Sequence, residues 1–300
     1  MTGPGPDFAF LDVATLLESS RPRGRWSGMR LLIAGCAAAL LLSWFLLGQT
    51  PGTQQLFSVS LSVLLGVFVA GWALNGFLAV REARAQQRQL QIIEELIQLR
   101  RWPQAAFSVQ AFLSRPARSP ATRAQAMLFL AMVLARYHRF DDSVAVHEHI
   151  LEEVLLDDEA VHSVQVGRAM ALLRAENLLD ADRAIADLRR QARAAGGIGE
   201  SPGLALVEIY RDVKTGHPAE AIQMFQSRLA VMRRDLGHRL ADAWALAARA
   251  YDMLGQSPQA EQAYRNATLL LPLVELRRRY PEIAPLADRL APAAAPAEVA

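Results

Sequence analysis

The 300-residue sequence contains a single cysteine, Cys36, and a single lysine, Lys214. One cysteine excludes an internal disulfide and a metal cage built from several thiolates. The formal net charge is only +2, although the chain has 32 lysine and arginine residues. Because acidic residues nearly balance the basic ones, the composition gives little support for nucleic-acid binding, and we predict no nucleic-acid partner.

Motifs that serve catalysis or cofactor binding are also missing. The glycine-rich stretch 196–203 lacks the Gly-Lys-Ser/Thr ending of a phosphate-binding loop and follows a predicted helix instead of a strand. His147 and His149 are two residues apart and so point to different faces of a helix, whereas a metal pair needs a spacing of three or four. We therefore predict no catalytic residue, no metal ligand, no cofactor and no enzymatic activity.

Two apolar stretches, residues 31–47 and 57–80, lie near the N-terminus. At about 1.5 Å per residue, helices of these lengths approach or exceed the roughly 30 Å hydrocarbon core of a bilayer. The connector contains Pro51 and two glycines, which predicts a transmembrane helical hairpin. Arginines flank both outer ends and the connector has no lysine or arginine, so both termini are expected in the cytoplasm. The predicted location is the inner membrane of a bacterium, as a multi-pass protein in contact with lipid.

The rest of the chain has the pattern of an all-helical protein. No strand-like alternation follows Trp102, alanine and leucine dominate, and clusters of Pro, Gly and Asp separate the helical segments. We expect a cytoplasmic segment at 1–28, the two spans within 29–81, a helical-repeat domain at 82–290 and a disordered Ala/Pro tail at 291–300. The predicted fold class is therefore all-α, a transmembrane hairpin followed by an α-α solenoid.

Small residues recur through the helical region at intervals of roughly 40 residues. They stand shortly after each break in the helical pattern, at Ala105, Ser143, Ala184, Ala221 and Ala260. A regular period in this range indicates stacked helical hairpins, because one hairpin cannot bury its apolar face alone. A small side chain also lets the two helices of a hairpin cross closely.

The last repeated unit carries the most specific motif. Its characteristic positions are Trp244, Ala248, Tyr251, Gly255, Ala260, Tyr264, Ala267 and Pro272. These residue types and spacings resemble a tetratricopeptide repeat, and weaker versions of the pattern cover roughly residues 85–272. The resemblance implies a right-handed superhelix whose concave face, lined by the first helix of each hairpin, binds a peptide or helix of another protein.

The same resemblance implies which side chains line the concave face. They are Leu90, Glu94, Leu128, Met132, Leu173, Leu206, Tyr210 and Arg249. The middle of this set is apolar, which suits an amphipathic helix from a membrane partner or from the chain's own tail. An equal alternative is that these residues only pack against neighbouring repeats, as most helical leucines do.

The leading functional hypothesis is a membrane-anchored scaffold or assembly factor that binds other membrane or envelope proteins through a cytoplasmic solenoid. The alternative is a subunit of an oligomeric membrane channel or transporter whose solenoid has a regulatory role. Ser58, Ser62 and Gly66 form a ridge of small residues in the second apolar stretch, where helices can approach closely. This ridge suits pairing with the first stretch or homo-oligomerisation.

Overall fold

The structure is a computed structural model, and it describes residues 11–22, 34, 35, 38, 54–117, 119–154, 156–194 and 201–290. Every regular element in these ranges is a helix, and none of their residues lies in a β-strand. The prediction of an all-α chain is therefore confirmed. Most of the first apolar stretch and the Ala/Pro tail lie outside the described residues.

The described helices follow the chain in a simple order. They are α1 (Val13–Ser19), α2 (Gln54–Gln98), α3 (Trp102–Leu113), α4 (Pro120–Arg136), α5 (Phe140–Glu153), α6 (Asp158–Arg174), α7 (Leu178–Ala194), α8 (Pro202–Thr215), α9 (Pro218–Asp235), α10 (Leu240–Met253), α11 (Ser257–Leu270), α12 (Leu273–Arg279) and α13 (Ala284–Leu290). Two 3-10 turns, Gly237–Arg239 and Pro281–Ile283, precede α10 and α13. The chain divides into two compact units, residues 1–137 with 152–155, and residues 138–151 with 156–300.

Several helices begin and end at the residues that local chemistry favours. The side chains of Ser119, Asp157 and Ser201 accept a hydrogen bond from a backbone N–H in the first turns of α4, α6 and α8. Such N-caps contribute about 1 kcal/mol each. Gly216 and Gly255 follow α8 and α10 with φ of 77° and 71°, a conformation that strains any residue with a Cβ.

In the first unit, α2 packs against α3 and α4 through its C-terminal part. Leu90, Ile93 and Ile97 of this part are buried. The helix continues past Val80 without a break, as the absence of Gly and Pro there predicts. Its N-terminal part instead exposes half or more of many large apolar side chains, namely Val59, Val63, Leu65, Val67, Val69, Trp72, Leu74, Phe77, Leu78 and Val80.

The membrane prediction does not agree with the described helices. In the part of the chain that the structure describes, no helix is both long and apolar enough to cross a membrane. On this finding the predicted location, a multi-pass inner-membrane protein with both termini cytoplasmic, is wrong. No described helix supports the membrane hairpin predicted within residues 29–81.

A buried arginine holds α1 and the residues after it on the first unit. Arg123 of α4 is 3% exposed, and each nitrogen of its guanidinium donates a hydrogen bond. Nε donates to the Ser20 hydroxyl at 3.0 Å, one terminal nitrogen donates to the Leu17 carbonyl at 2.6 Å, and the other to the Glu153 carboxylate at 3.1 Å. The Ser19 hydroxyl adds a bond to the Leu113 carbonyl at 2.8 Å. This short segment is thus attached by polar contacts as well as by burial of Leu16 and Leu17.

The second unit contains three successive helical hairpins, α6 with α7, α8 with α9, and α10 with α11. The first helices lie side by side, because α8 packs against both α6 and α10. Side chains from all three hairpins form one continuous apolar core. After the third hairpin, α12 and the turn Pro281–Ile283 return to pack against α10, and Leu276, Tyr280 and Ile283 enter this core with no exposed surface.

Candidate protein-binding surfaces

The small residues that recur along the sequence are all buried. Ala105, Ala221 and Ala260 are 0% exposed, Ser143 is 1% exposed and Ala184 is 6% exposed. Helices therefore pack closely at each of these positions, as expected for residues chosen by size.

The residues of the last sequence repeat join α10 to its neighbouring helices. Ala248, Ala260 and Ala267 are fully buried, and Tyr264 is 9% exposed. Trp244 and Tyr251 are partly buried against two apolar clusters, and the Trp244 ring meets Phe225 edge to face at 4.8 Å. Gly255 supplies the positive φ after α10, and Pro272 precedes α12. These positions thus have packing and turn roles.

The residues predicted to line the concave face divide by exposure. Leu90, Leu173, Leu206 and Tyr210 are buried, Leu128 and Arg249 are half-buried, and Glu94 and Met132 are exposed. Leu173, Leu206 and Tyr210 belong to one core that also contains Tyr280 and Ile283. The chain itself therefore covers part of the predicted face in the second unit, whereas Glu94 and Met132 on α2 and α4 remain accessible in the first.

Tyr280 is the central contact of the covering segment. Its ring meets the ring of Tyr210 on α8 edge to face, with the centroids 5.2 Å apart. The guanidinium of Arg174, at the end of α6, lies 5.4 Å from the Tyr280 ring centroid. Burial raises the pKa of the Tyr280 hydroxyl to about 12, with a further rise from the Asp242 carboxylate and an opposing effect of Arg174. Burial also raises the pKa of Tyr210, so both phenols are neutral at ordinary pH.

Glu282 adds a carboxylate contact two residues after Tyr280. Its Oε1 accepts hydrogen bonds from the Tyr210 hydroxyl at 3.1 Å and pairs with Nζ of Lys214 at 2.9 Å. The Lys214 side chain is only 6% exposed, and it also pairs with Glu176 and lies 5.3 Å from the Tyr210 ring centroid. The chain's single lysine therefore serves a largely buried ion pair that holds the segment to α8.

A third contact joins the end of α12 to α10. The Arg279 guanidinium donates to the Asp242 carboxylate at 3.1 and 3.3 Å, and Asp242 is 2% exposed. Arg239 lies 4.0 Å from the same carboxylate. The basic run 277–279 thus supplies a structural ion pair at this helix end.

Some polar atoms of this contact have no hydrogen-bond partner of acceptable geometry. They are the Tyr280 hydroxyl, Glu282 Oε2 and Arg174 Nε, all of them buried, although the Arg174 guanidinium is near enough to Tyr280 to interact with it electrostatically. A buried polar group without a partner costs roughly 1–3 kcal/mol. The segment is therefore held by apolar burial and by the Lys214 ion pair, with an opposing cost from these atoms.

A cleft in the second unit is lined by charges that are already paired. A cleft of about 490 Å³ between α7, α8 and α9 is lined in part by Arg189 and Arg211. Arg189 pairs with Glu208, and Arg211 pairs with Asp182 and Asp212 at 2.9 and 2.8 Å. Because protein carboxylates already engage both arginines, the cleft offers no uncompensated cation for a ligand.

His147 is the buried member of the histidine pair. It is 7% exposed, and its Nδ1 lies 2.7 Å from the Ser143 carbonyl. Burial lowers its pKa, an effect opposed by the bond to Ser143, so the ring is neutral. In the described ranges no group of three or more His, Cys, Asp and Glu side chains is placed to hold a metal ion.

Sequence reasoning did not identify Arg174, Lys214, Tyr280 or Glu282 as partners. Two signals were present: Lys214 is the only lysine, and Tyr280 directly precedes Pro281 at the end of a predicted helix. Neither signal indicates which side chains the segment meets, because Tyr210 and Glu282 are 72 residues apart.

The comparisons with known proteins add little to this geometry. No family model and no curated protein matches the chain. Among solved structures, the crystal structure of BtubC (BKLC) from P. vanneervenii is similar at 15% sequence identity over 83% of this chain and 93% of that chain, with a TM-score of 0.40. A TM-score this low carries no conclusion about fold or function.

Proposed function

We propose that this protein is a tetratricopeptide-like helical-repeat scaffold or assembly factor that works by binding a segment of another protein. The binding surface is the face formed by the first helices of its hairpins. The observation that carries the proposal is the arrangement of α6, α8 and α10, which lie side by side and together hold the segment made of Tyr280 and the 3-10 turn Pro281–Ile283. A face that buries such a turn through aromatic, cationic and apolar side chains is suited to bind peptide segments.

The first unit has accessible residues of its own among those that the resemblance places on a concave face. Met132 on α4 is 48% exposed, and Glu94 on α2 is also exposed, while the two helices pack against each other. Exposed apolar side chains beside a charged one are typical of protein-binding patches. Leu128, one turn before Met132, is half-buried and extends the apolar surface.

A co-purification experiment tests the proposal. The tagged chain and its Met132→Asp variant are used to recover partners, and bound proteins are quantified by mass spectrometry. We expect Met132→Asp to reduce at least one specific partner by fivefold or more, because a carboxylate in the contact would have to be desolvated. Phe107→Asp on α3 is the matched control, since Phe107 is 67% exposed and lies outside the set of residues predicted to line the concave face. Equal partner recovery by the wild type and a folded Met132→Asp variant would contradict the proposal that the first unit binds partners.

A further inference from the structure

The segment bound to α6, α8 and α10 has a definable chemical pattern. Tyr280 and Ile283 are fully buried, Glu282 is half-buried and Pro281 is exposed. Three side chains of the segment therefore contact the face: an aromatic one, a carboxylate two positions later and an aliphatic one directly after the carboxylate. Proline fixes the backbone between the aromatic residue and the carboxylate. The face offers a matching site for each of the three side chains.

We propose that this face recognises a segment of a partner protein with the same pattern, aromatic, any residue, acidic, aliphatic, and that residues 280–283 are the chain's own competitor for it. This inference rests on the proposed function and names the chemistry of the partner. The chain's own segment keeps the face covered until the partner segment replaces it.

The cations around the face select this chemistry. Lys214 Nζ is 2.9 Å from Glu282 Oε1 and 5.3 Å from the centroid of the Tyr210 ring. Arg174 lies 5.4 Å from the centroid of the Tyr280 ring. A cation over an aromatic face and a cation beside a carboxylate favour an aromatic and acidic segment, and they repel one with lysine at the acidic position.

The unpaired atoms make the chain's own segment an imperfect occupant. Arg174 Nε, the Tyr280 hydroxyl and Glu282 Oε2 are buried without a hydrogen-bond partner of acceptable geometry. A partner segment that brings a well-placed acceptor to Arg174 gains a better-aligned hydrogen bond than its contact with Tyr280 provides. The face therefore has unused binding capacity while its own segment occupies it.

Replacement of residues 280–283 does not require the loss of α13. Leu286 and Ala287 of α13 pack in a separate cluster with Ala248, Ala260 and Tyr264. Arg289 also pairs with Asp252 on α10. The helix after the segment therefore has its own attachment to α10 and α11.

A labelled synthetic peptide with the sequence of residues 276–286 tests the inference by fluorescence anisotropy. It is titrated against the full chain and against the Glu282→Ala variant, which removes the ion pair with Lys214 and leaves Tyr280 and Ile283 in place. We expect Glu282→Ala to bind the peptide at least tenfold more tightly than the wild type, because the competing segment is weakened. A peptide with alanine in place of the tyrosine is expected not to bind. A folded Glu282→Ala variant with no gain over the wild type would overturn the inference.

A second substitution assigns the binding to the face itself. Lys214→Met in the Glu282→Ala background is expected to cancel the tenfold gain, because it removes the cation that receives the peptide's carboxylate. Arg190→Met is the matched control, since the Arg190 side chain is 79% exposed and pairs only within α7, with Asp187. An equal loss with both substitutions would contradict the assignment.

If Glu282→Ala does not fold, hydrogen exchange of the wild type with the same peptide tests the inference instead. A saturating excess of the peptide is expected to raise amide exchange at Tyr280, Glu282 and Ile283 of the wild type while exchange in α8 falls. Unchanged exchange in both places would overturn the inference. Loss of partners with Met132→Asp but no peptide binding removes only this inference. Peptide binding without any partner that depends on Met132 removes the binding role assigned to the first unit and leaves the face of α6, α8 and α10 as the binding site.

Discussion

Each of the two units holds a short segment beside an arginine, and the two contacts differ in how completely their polar atoms are paired. Arg123 in the first unit uses all three nitrogens, with acceptors on Leu17, Ser20 and Glu153. In the second unit Arg174 Nε and the Tyr280 hydroxyl have no hydrogen-bond partner of acceptable geometry. Complete pairing fixes a segment in one position, whereas incomplete pairing leaves apolar burial as the main attraction and permits exchange.

The largest expected effect concerns Tyr280, because the contact in the second unit depends on apolar burial. Tyr280→Ala should lower the free energy of unfolding of the second unit by about 3–5 kcal/mol, the usual cost of deleting a buried ring. Tyr280→Phe should be neutral or slightly stabilising, since the hydroxyl it removes makes no hydrogen bond of good geometry. Urea unfolding, monitored by hydrogen exchange of the α10 amides, measures the free energy of unfolding of both variants. A Tyr280→Phe variant as unstable as Tyr280→Ala would show that the hydroxyl is paired after all.

Arg123→Met should have the second largest effect and should act through lost polar pairing. The substitution keeps most of the aliphatic volume but removes all three hydrogen bonds that Arg123 donates. Glu153 keeps its pair with Arg21, and the Leu17 carbonyl keeps the bond from the Ser20 hydroxyl. We expect a loss of about 2–3 kcal/mol in the first unit, together with faster amide exchange in α1. Arg183→Met is the control, because its pair with Asp180 is exposed and should contribute at most about 0.5 kcal/mol. Unchanged exchange in α1 would remove the role assigned to Arg123.

Alkaline pH should weaken only the second of the two contacts. The Tyr280 hydroxyl has a folded pKa of about 12, above the ordinary value of 10.0. Between these values the unfolded chain has lost a proton that the folded chain retains, so stability falls as pH rises, by about 1.4 kcal/mol per pH unit. Below pH 10 this contribution is fully present. The difference in unfolding free energy between the wild type and Tyr280→Phe, followed from pH 9 to 12, should show this slope, and a constant difference would contradict it.

How much of this comparison the sequence could predict depends on the distance between partners. The caps Ser119 and Asp157 and the glycine after α8, Gly216, are local signals, and they place helix ends where the structure has them. The apolar period also predicts that Leu173 and Leu206 lie on an interior face. Periodicity cannot distinguish an open groove from a face covered by a distant part of the same chain, because both require the same apolar residues. That distinction depends on the contact of Tyr280 with Tyr210, which no local pattern contains.

The smallest effect should follow Glu282→Gln, which tests whether the Lys214 ion pair fixes the segment or only assists apolar burial. The amide can still accept the Tyr210 hydrogen bond through its oxygen, and Lys214 retains its pair with Glu176. The lost charge interaction is largely buried on the lysine side but 19% exposed on the glutamate side, so we expect a loss of about 1 kcal/mol or less. Glu261→Gln, in an exposed pair with Arg265, should have no measurable effect in the same urea titration. A loss with Glu282→Gln as large as that of Tyr280→Ala would mean that paired charge holds this segment too, and the contrast with Arg123 would disappear.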